Sequence, residues 1–404
     1  MIKDILKVST ADIISIFVLI IIGFIYPKIL TIEDYAIYKT FALLVGITGI
    51  LHFGVSDAMH LELPRLSNES ERIAAAKGYF IIAVLVVAAT TILTVVLAIV
   101  YQSTLLLLWS IYIPGFHILH FMRLYYRAIG SFTQYGKLQS GSNIARSVAV
   151  VGVMSYPTAV AAILGEIFYT WISGLVAVKH ILARGKVSYP NFRQLYLGFA
   201  LMVSNTLLTM FLTTDRYMAK IFYQDYQFAM YAFAVSMLGI LIIPANSISF
   251  VIYINIIKNK ESIIIRSLQL LKTYQLLIIP TYYILSKIIE IYLPKYQNAI
   301  PSIKILFAAA PMLIATIIFY IPEYKATQKM KEYTIATTIG ILTVILTNLY
   351  AVFVYHTILS LAYATLISMF IYFIVNSLIA RRHMDKYTLA TTMVSTVLLL
   401  WLPI

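Results

Sequence analysis

The chain is a succession of apolar runs separated by short basic connections, and most of the runs are about the 20 residues that a helix needs to cross a hydrocarbon core roughly 30 Å thick. No soluble core has room for them. Of the 404 residues 61% are hydrophobic and 11% are charged, and the mean hydropathy is +0.89. In lipid every backbone polar group must be satisfied within its own segment, so repeated runs of this kind imply helices. The fold class expected is an all-α polytopic membrane protein, and length priors for soluble domains do not apply.

Hydropathy places the spans near 10–30, 36–60, 77–101, 104–122, 139–156, 159–182, 195–222, 228–256, 268–292, 300–322, 333–355 and 357–380, which makes twelve. A last run, Thr388 to Ile404, is either a short thirteenth span or an interfacial helix, because about 17 residues is the lower limit for crossing. The first run follows a basic start, lacks a small-residue cleavage site and is too long for a removable signal, so it is expected to remain as the first span.

A net charge of +14 in a soluble chain would suggest nucleic acid, but here the bases sit between the apolar runs. Connections after even-numbered spans carry Arg65, Arg72 and Lys77, then Arg123, Arg127 and Lys137, then Lys179, Arg184, Lys186 and Arg193. Lys258, Lys260, Arg266, Lys325, Lys329, Lys331, Arg381, Arg382 and Lys386 continue the series. With Lys3 and Lys7, roughly two-thirds of all Lys and Arg lie on that side, the positive-inside pattern of a chain whose N-terminus is cytoplasmic. The opposite connections, such as Tyr101 to Ser103, are short, so no large external domain is expected. Cysteine is absent, which excludes disulfides and thiolate metal sites. No Walker motif, nucleotide-binding domain or catalytic triad is visible, so neither an ATPase nor an enzyme is expected, and no cofactor, metal or nucleic acid.

The segments EDYAIYKTF (Glu33 to Phe41) and QDYQFAMYAF (Gln224 to Phe233) follow the first and seventh spans. Aligning Asp34 with Asp225 gives an offset of 191 residues, with six spans between them. This weak internal repeat predicts two six-helix lobes, residues 1–190 and 191–383, related as parallel repeats about an axis along the membrane normal, with 384–404 as an extra C-terminal helix.

YPKILTIEDYAIYKTF (Tyr26 to Phe41), LHFGVSDAMHLELPRL (Leu51 to Leu66), TTDRYMAKIFYQDYQFAMYAF (Thr213 to Phe233) and YLPKYQNAIPSIKILFAAAPMLIATI (Tyr292 to Ile317) together resemble polysaccharide transporters. These belong to the multidrug/oligosaccharidyl-lipid/polysaccharide (MOP) exporter superfamily, and the resemblance is strongest to the Wzx-type O-antigen flippases. It extends over nearly the whole chain, through helix pattern more than motif. Family members usually have Gly after the acid-Tyr pair, where this chain has Ala36 and Gln227. The resemblance implies a MOP/MATE-like arrangement in two six-helix lobes and movement of undecaprenyl-pyrophosphate-linked oligosaccharide from the inner to the outer leaflet of a bacterial cytoplasmic membrane.

Charges inside spans are the candidate site, since one near the bilayer centre costs on the order of 3 kcal/mol and faces protein or water by default. At 100° per residue, Asn205, Thr209, Thr213, Arg216 and Lys220 fall within a sector of about 80°. Their stripe is a cavity wall for pyrophosphate or sugar hydroxyls, because guanidinium matches phosphate oxygens bidentately, or else one side of a structural ion-pair network, with Lys220 merely snorkelling. Asp215 is adjacent to Arg216 and so does not face it; it reads as a structural anchor or an ion-coupling acid. Arg146, beside Ser142, Asn143 and Ser147, is too deep to snorkel and is a cavity candidate. Lys39, Lys272 and Arg123 complete the substrate-binding set.

For ion coupling the candidates are Glu166, Asp57, Asp215, His117 and His120, since small environmental shifts move His across physiological pH. Glu166 alternatively pairs Arg146 or Arg123. His52, Ser56 and His60 are spaced i, i+4, i+8 with Asp57 alongside. Lys287 and Glu290 are expected to pair locally at i, i+3. Pro114, Pro244, Pro280 and Pro311 fall inside spans, where they kink helices.

The function expected is a flippase for lipid-linked oligosaccharide working by alternating access, with membrane lipids, a coupling proton or sodium ion and a polysaccharide polymerase as candidate partners. The alternative is an ion-coupled drug or metabolite exporter of the same superfamily, whose site should be rich in acids where this interior is net basic. A membrane polymerase or ligase would need a long external loop, and none is evident.

Overall fold

A computed structural model describes residues 17–18, 20–182, 186–257, 261–327, 329–380, 384 and 386–401. Lys3, Lys7, Arg184, Lys258, Lys260, Arg381, Arg382 and the two ends of the chain lie outside them. Among the described residues the structure is helical throughout, without strands. In order the helices are α1 (Ile20–Ile29), α2 (Ile32–Thr48), α3 (Val55–Glu62), α4 (Glu69–Val100), α5 (Thr104–Ala128), α6 (Phe132–Ser155) and α7 (Ala159–Leu182). Then come α8 (Phe192–Phe222), α9 (Asp225–Ile257), α10 (Glu261–Tyr292), α11 (Ile300–Ala315), α12 (Ile321–Ala326), α13 (Met330–Tyr350), α14 (Ile358–Ile379) and α15 (Lys386–Trp401). Among the described residues eight segments are long and apolar enough to cross a membrane. The chain is an all-α polytopic membrane protein, as the apolar runs require. It forms two compact units, one comprising Ile29–Thr206 with the residues before Gly23, the other Gly23–Lys28 with Leu207 onward.

Helix starts are set locally. The side chains of Thr31, Asn68, Ser103 and Thr357 each accept a hydrogen bond from a backbone N–H of the turn that follows, at Asp34, Ser70, Leu106 and Ser360 respectively. Glu69 and Glu71 add negative charge at the positive end of α4.

In the first unit α5 and α7 approach closely through small residues, the usual way for membrane helices to gain packing without a hydrophobic drive between them. A Cβ on Gly115 would stand 2.8 Å from the Trp171 ring, and one on Gly174 would stand 3.1 Å from Ile118. Trp171 Nε1 donates to the Ile111 carbonyl at 2.8 Å and fixes that contact. Helix α4 is the opposite case, since only 17% of its apolar window is buried in protein and Leu85, Ile92 and Leu93 face outward.

The second unit is arranged about Pro294–Ala326, whose apolar window is buried completely. A helix that is hydrophobic all round belongs inside. Here α11 continues through a π-helical turn, Thr316–Tyr320, into α12. Gln275 on α10 donates to the Pro311 carbonyl at 3.1 Å and to Thr392 Oγ1 at 2.8 Å, tying α10, α11 and α15 together. Thr388, Thr392, Ser395, Thr396 and Leu399 form the buried face of α15. The last apolar run is therefore a helix packed on its neighbours through a hydroxyl-rich face.

The expected continuous span 36–60 is not observed. It is broken between Thr48 and Val55, where Phe53 and Gly54 have φ of 49° and 79°. Hydropathy cannot register a break whose residues stay apolar. Its cause is packing, because a Cβ on Gly54 would fall 2.5 Å from the Phe199 backbone, and one on Gly198 would fall 2.4 Å from both Ala58 Cβ and the Gly54 carbonyl. Two helical segments thus meet backbone to backbone at a left-handed residue that only glycine adopts without strain. His52 consequently lies in a turn, outside the helical register of Ser56 and His60.

Substituting Gly198 by Ala is expected to destabilise the protein by about 1–3 kcal/mol through overpacking, and Gly54→Ala by at least as much because strain is added. Gly152→Ala, where a Cβ meets open space, should be neutral or stabilising by up to about 1 kcal/mol. Thermal unfolding in detergent, compared across the three variants, measures this.

Candidate functional site

In the first unit Arg146 on α6 and Glu166 on α7 form an ion pair, with Arg146 Nη2 2.7 Å from Glu166 Oε1. The same oxygen accepts the Tyr38 hydroxyl of α2 at 3.3 Å. The guanidinium also lies over the Tyr169 ring, 5.0 Å from its centroid, a cation–π contact that favours Arg. Glu166 is buried, and Ser142 and Asn143 on α6 are buried nearby in sequence. Of the two partners foreseen for Glu166, the geometry selects Arg146. Arg146 is accordingly compensated, and Tyr38 and Tyr169 were not anticipated because tyrosine is too common in this chain to stand out.

Four side chains of α5, Phe116, His120, Arg123 and Arg127, recur at helical spacing along one stripe. The Phe116 and His120 rings stack at 5.7 Å with 7° between planes, and His120 stacks on His52 of the α2–α3 turn at 5.7 Å and 14°. His52 also meets His117 edge-on at 5.5 Å. His52 Nδ1 accepts the Gly54 N–H at 3.0 Å, which leaves Nε2 as the donor, 3.7 Å from Asp57 Oδ2. His117 is buried and neither ring nitrogen makes a well-formed hydrogen bond. Asp57, His117 and His120 are thus brought into one cluster by His52, which sequence spacing had assigned to a continuous helix.

Arg123 differs from Arg146. Both are half-buried with an Nε buried without a hydrogen bond, but among the described residues no carboxylate pairs with Arg123, whereas Arg146 has Glu166. The charged and titratable groups that act on it are Tyr169, Tyr135, Arg127 and Arg146. Arg127 is itself engaged by the Tyr135 hydroxyl and lies over that ring at 4.5 Å.

In the second unit Asp215 is buried on α8. Its Oδ2 accepts the Tyr231 hydroxyl of α9 at 2.8 Å and Thr365 Oγ1 of α14 at 3.4 Å, and its Oδ1 accepts the backbone N–H of Arg216 at 2.7 Å. One carboxylate thus holds three helices. The expectation that Asp215 and Arg216 do not face each other needs adjustment, since Arg216 Nε comes within 3.8 Å of Asp215 Oδ1 without hydrogen-bonding it. Arg216 Nη2 instead donates to the Leu212 carbonyl at 2.7 Å. Because α8 is regular from Phe192 to Phe222, Asn205, Thr209, Thr213, Arg216 and Lys220 do share a face. Lys220 pairs with Asp225 at the start of α9, and Thr213 Oγ1 returns to the Thr209 carbonyl. Asn348 on α13, which no sequence pattern marked, is fully buried with neither amide atom hydrogen-bonded.

Two further candidate cations lie over aromatic rings, Lys39 beside the Arg146–Glu166 group through Tyr38. Lys39 sits over Tyr35 and Tyr38 at 5.1 and 5.6 Å, and Lys272 sits over Tyr387 at 5.7 Å. Lys287 and Glu290 pair at 2.6 Å, as their spacing predicts. Among the described residues no cluster of three or more His, Asp or Glu has a geometry that would hold a metal.

No family model matches the sequence, and no curated protein matches it. Solved structures do match in fold. The lipid II flippase MurJ in an inward closed conformation superposes with a TM-score of 0.68 at 17% identity, over 99% of this chain and 92% of that one. An inward-facing multidrug resistance MATE family transporter of the MOP superfamily gives 0.61 at 12%, over 98% and 97%. A MATE protein in a bent conformation gives 0.63 at 13%, over 97% and 96%. The chain has the fold of MOP-superfamily transporters. The similarity runs end to end, so the helices described above belong to that one architecture.

The Arg146–Glu166 pair yields a direct test. Glu166→Gln leaves a cation in the interior without its counter-charge and is expected to cost about 3–5 kcal/mol, whereas Arg146→Met combined with Glu166→Leu should restore most of the loss. Thermal unfolding of Arg146→Met, Glu166→Leu and the double variant gives the coupling, and an additive result would rule out a buried pair.

Proposed function

We propose that the protein is a flippase that carries an undecaprenyl-pyrophosphate-linked oligosaccharide, an O-antigen or similar repeat unit, across a bacterial cytoplasmic membrane by alternating access, with its N-terminus cytoplasmic. It acts as a carrier and makes or breaks no bond. The observation that carries this reading is the surplus of cationic side chains in the interior. Arg123 has no carboxylate partner among the described residues, and the guanidinium of Arg216 is only partly compensated by Asp215. A group held at such cost needs an anion, and a diphosphate offers paired oxygens that match a guanidinium. In this reading each unit offers its own candidates, Arg123 in the first for the diphosphate and, on α8, the face that carries Asn205, Thr209, Thr213 and Arg216 for sugar hydroxyls or phosphate. Arg146, Lys39, Lys220 and Lys272 contribute positive potential. Glu166, Asp57, Asp215, His117 and His120 supply coupling to a proton or sodium ion. The two lobes of the sequence repeat would move against each other, and a polysaccharide polymerase would take the product.

A second reading, an ion-coupled exporter of drugs or metabolites, is favoured by the MATE structures that share the fold. Charge argues against it for organic cations, since the deepest acids, Glu166 and Asp215, are already engaged.

Reconstitution in liposomes decides between them. A fluorescent undecaprenyl-diphosphate disaccharide should become accessible to an external quencher in a protein-dependent way, with Arg123→Gln and Arg216→Gln each lowering the rate at least about tenfold, the loss of one charge-assisted contact. Export of cationic dyes with no movement of the lipid-linked sugar would select the second reading.

A further inference from the structure

The imidazole cluster joins two parts of the flippase reading, the diphosphate contact and the ion coupling, that the reading itself leaves separate. Three histidines, His52, His117 and His120, lie in ring contact at 5.5–5.7 Å, beside an arginine that lacks a carboxylate partner among the described residues. His120 and Arg123 are i, i+3 on α5 and therefore neighbours on one face. Both are partly accessible within unit 1. An arginine exposed to lipid there would be unfavourable, so this face is one that turns to protein or to water.

The surrounding charges decide what protonation of the cluster depends on. From the first turn of α3, Asp57 faces His52. On α5 the cations Arg123 and Arg127 oppose a charge on His120. On α6 and α7, Arg146 and Glu166 neutralise one another, with Tyr135 and Tyr169 as neutral neighbours. Helix α4, packed on α3 and α5, brings Lys77 and Tyr79, the latter held by Glu62 at 2.5 Å. Helix α8 approaches the turn through Gly198 and Phe199, neither titratable. Among the described residues the cluster is thus surrounded mainly by positive charge, with Asp57 the acid that faces it.

An anion placed on Arg123 would reverse that balance. It would offset the arginine and attract a proton to the adjoining rings, and His117, buried without a well-formed hydrogen bond, would gain least from staying neutral. Linkage is reciprocal, so a proton on the cluster would tighten anion binding by the same factor. We propose that His52, His117, His120 and Arg123 form a proton-linked diphosphate site, in which one proton is taken up by the protein as the anion binds. This deepens the flippase reading and rests on it for the identity of the anion. It gives the coupling a direction, with substrate and proton entering together.

The chemistry of the anion makes the test clean. Both phosphates of a lipid-linked sugar are esterified and keep a fixed charge through neutral pH, so any proton that appears on binding belongs to the protein. UDP-N-acetylglucosamine, a soluble diphosphate diester, serves as the probe for the full-length protein in lipid nanodiscs. Calorimetry in buffers of different ionisation enthalpy counts protons. The expected result is uptake approaching one proton per ligand near neutral pH, with affinity falling about fiftyfold between pH 5.5 and pH 8, within the usual range of coupling. His52→Gln/His117→Gln/His120→Gln should bind with pH-independent affinity and no uptake, and Arg123→Gln should bind at least tenfold more weakly.

His120→Gln alone, checked by thermal unfolding, covers the case in which the triple variant does not fold. It should reduce uptake. No binding to the wild type, binding without uptake, or equal uptake in the histidine variants would each overturn the proposal. The two readings fail separately. Lipid-linked sugar movement that is unchanged in rate and pH profile in the histidine variants rejects the proton link and keeps the flippase. Proton-linked binding without movement of the lipid-linked sugar does the reverse.

Discussion

A charge that a membrane helix carries into the interior must find compensation there, and in this chain the means of compensation assigns each residue its part. Arg146 is met by Glu166 at 2.7 Å, with Tyr38 and Tyr169 completing the shell. Asp215 is met by the Tyr231 hydroxyl, Thr365 and a backbone N–H. In both cases partners come from three helices, so the electrostatic requirement also sets helix positions: α2, α6 and α7 in the first unit, and α8, α9 and α14 in the second. Low dielectric strengthens such networks when satisfied and penalises them when not. They position the scaffold on which less satisfied groups such as Arg123 are held.

Helix count was legible in the sequence because hydrophobic length is a one-dimensional property. The run 159–182 appears as α7 with the same limits, 77–101 appears as α4 with its start eight residues earlier, and α15 occupies most of the ambiguous last run. The break between α2 and α3 was not legible. Gly46, Gly49 and Gly54 are visible in the sequence, but glycine is common in membrane helices, and what makes Gly54 decisive is the backbone of Phe199, roughly 145 residues away. A constraint that distant in sequence leaves no local periodicity to read.

The candidate site divides the same way. In-span charges announce themselves by cost, so Arg146, Glu166, Asp215 and Arg216 could be singled out from sequence. Their partners could not, because Tyr38, Tyr169, Tyr231 and Thr365 belong to residue types that abound in apolar spans. His52 shows the sharper limit. Its spacing to Ser56 and His60 suggested a helical face, yet the turn carries it onto His117 and His120, 65 and 68 positions further along the chain. A three-residue cluster then exists where spacing showed only a pair.

Conspicuous charge and available charge are therefore different properties. Arg146 is the more evident basic residue of the first unit, deep in a span, but its charge is balanced. Arg123, near the end of α5 and easily taken for an interfacial anchor, has no carboxylate partner among the described residues. Charges present differ from charges already engaged by neighbours. The preference for an anion proposed above rests on Arg123 lacking such a partner while Glu166 and Asp215 are both engaged. That preference follows from the pairing pattern, and the net charge of the whole chain, most of it in basic connections at the membrane surface, would not have established it.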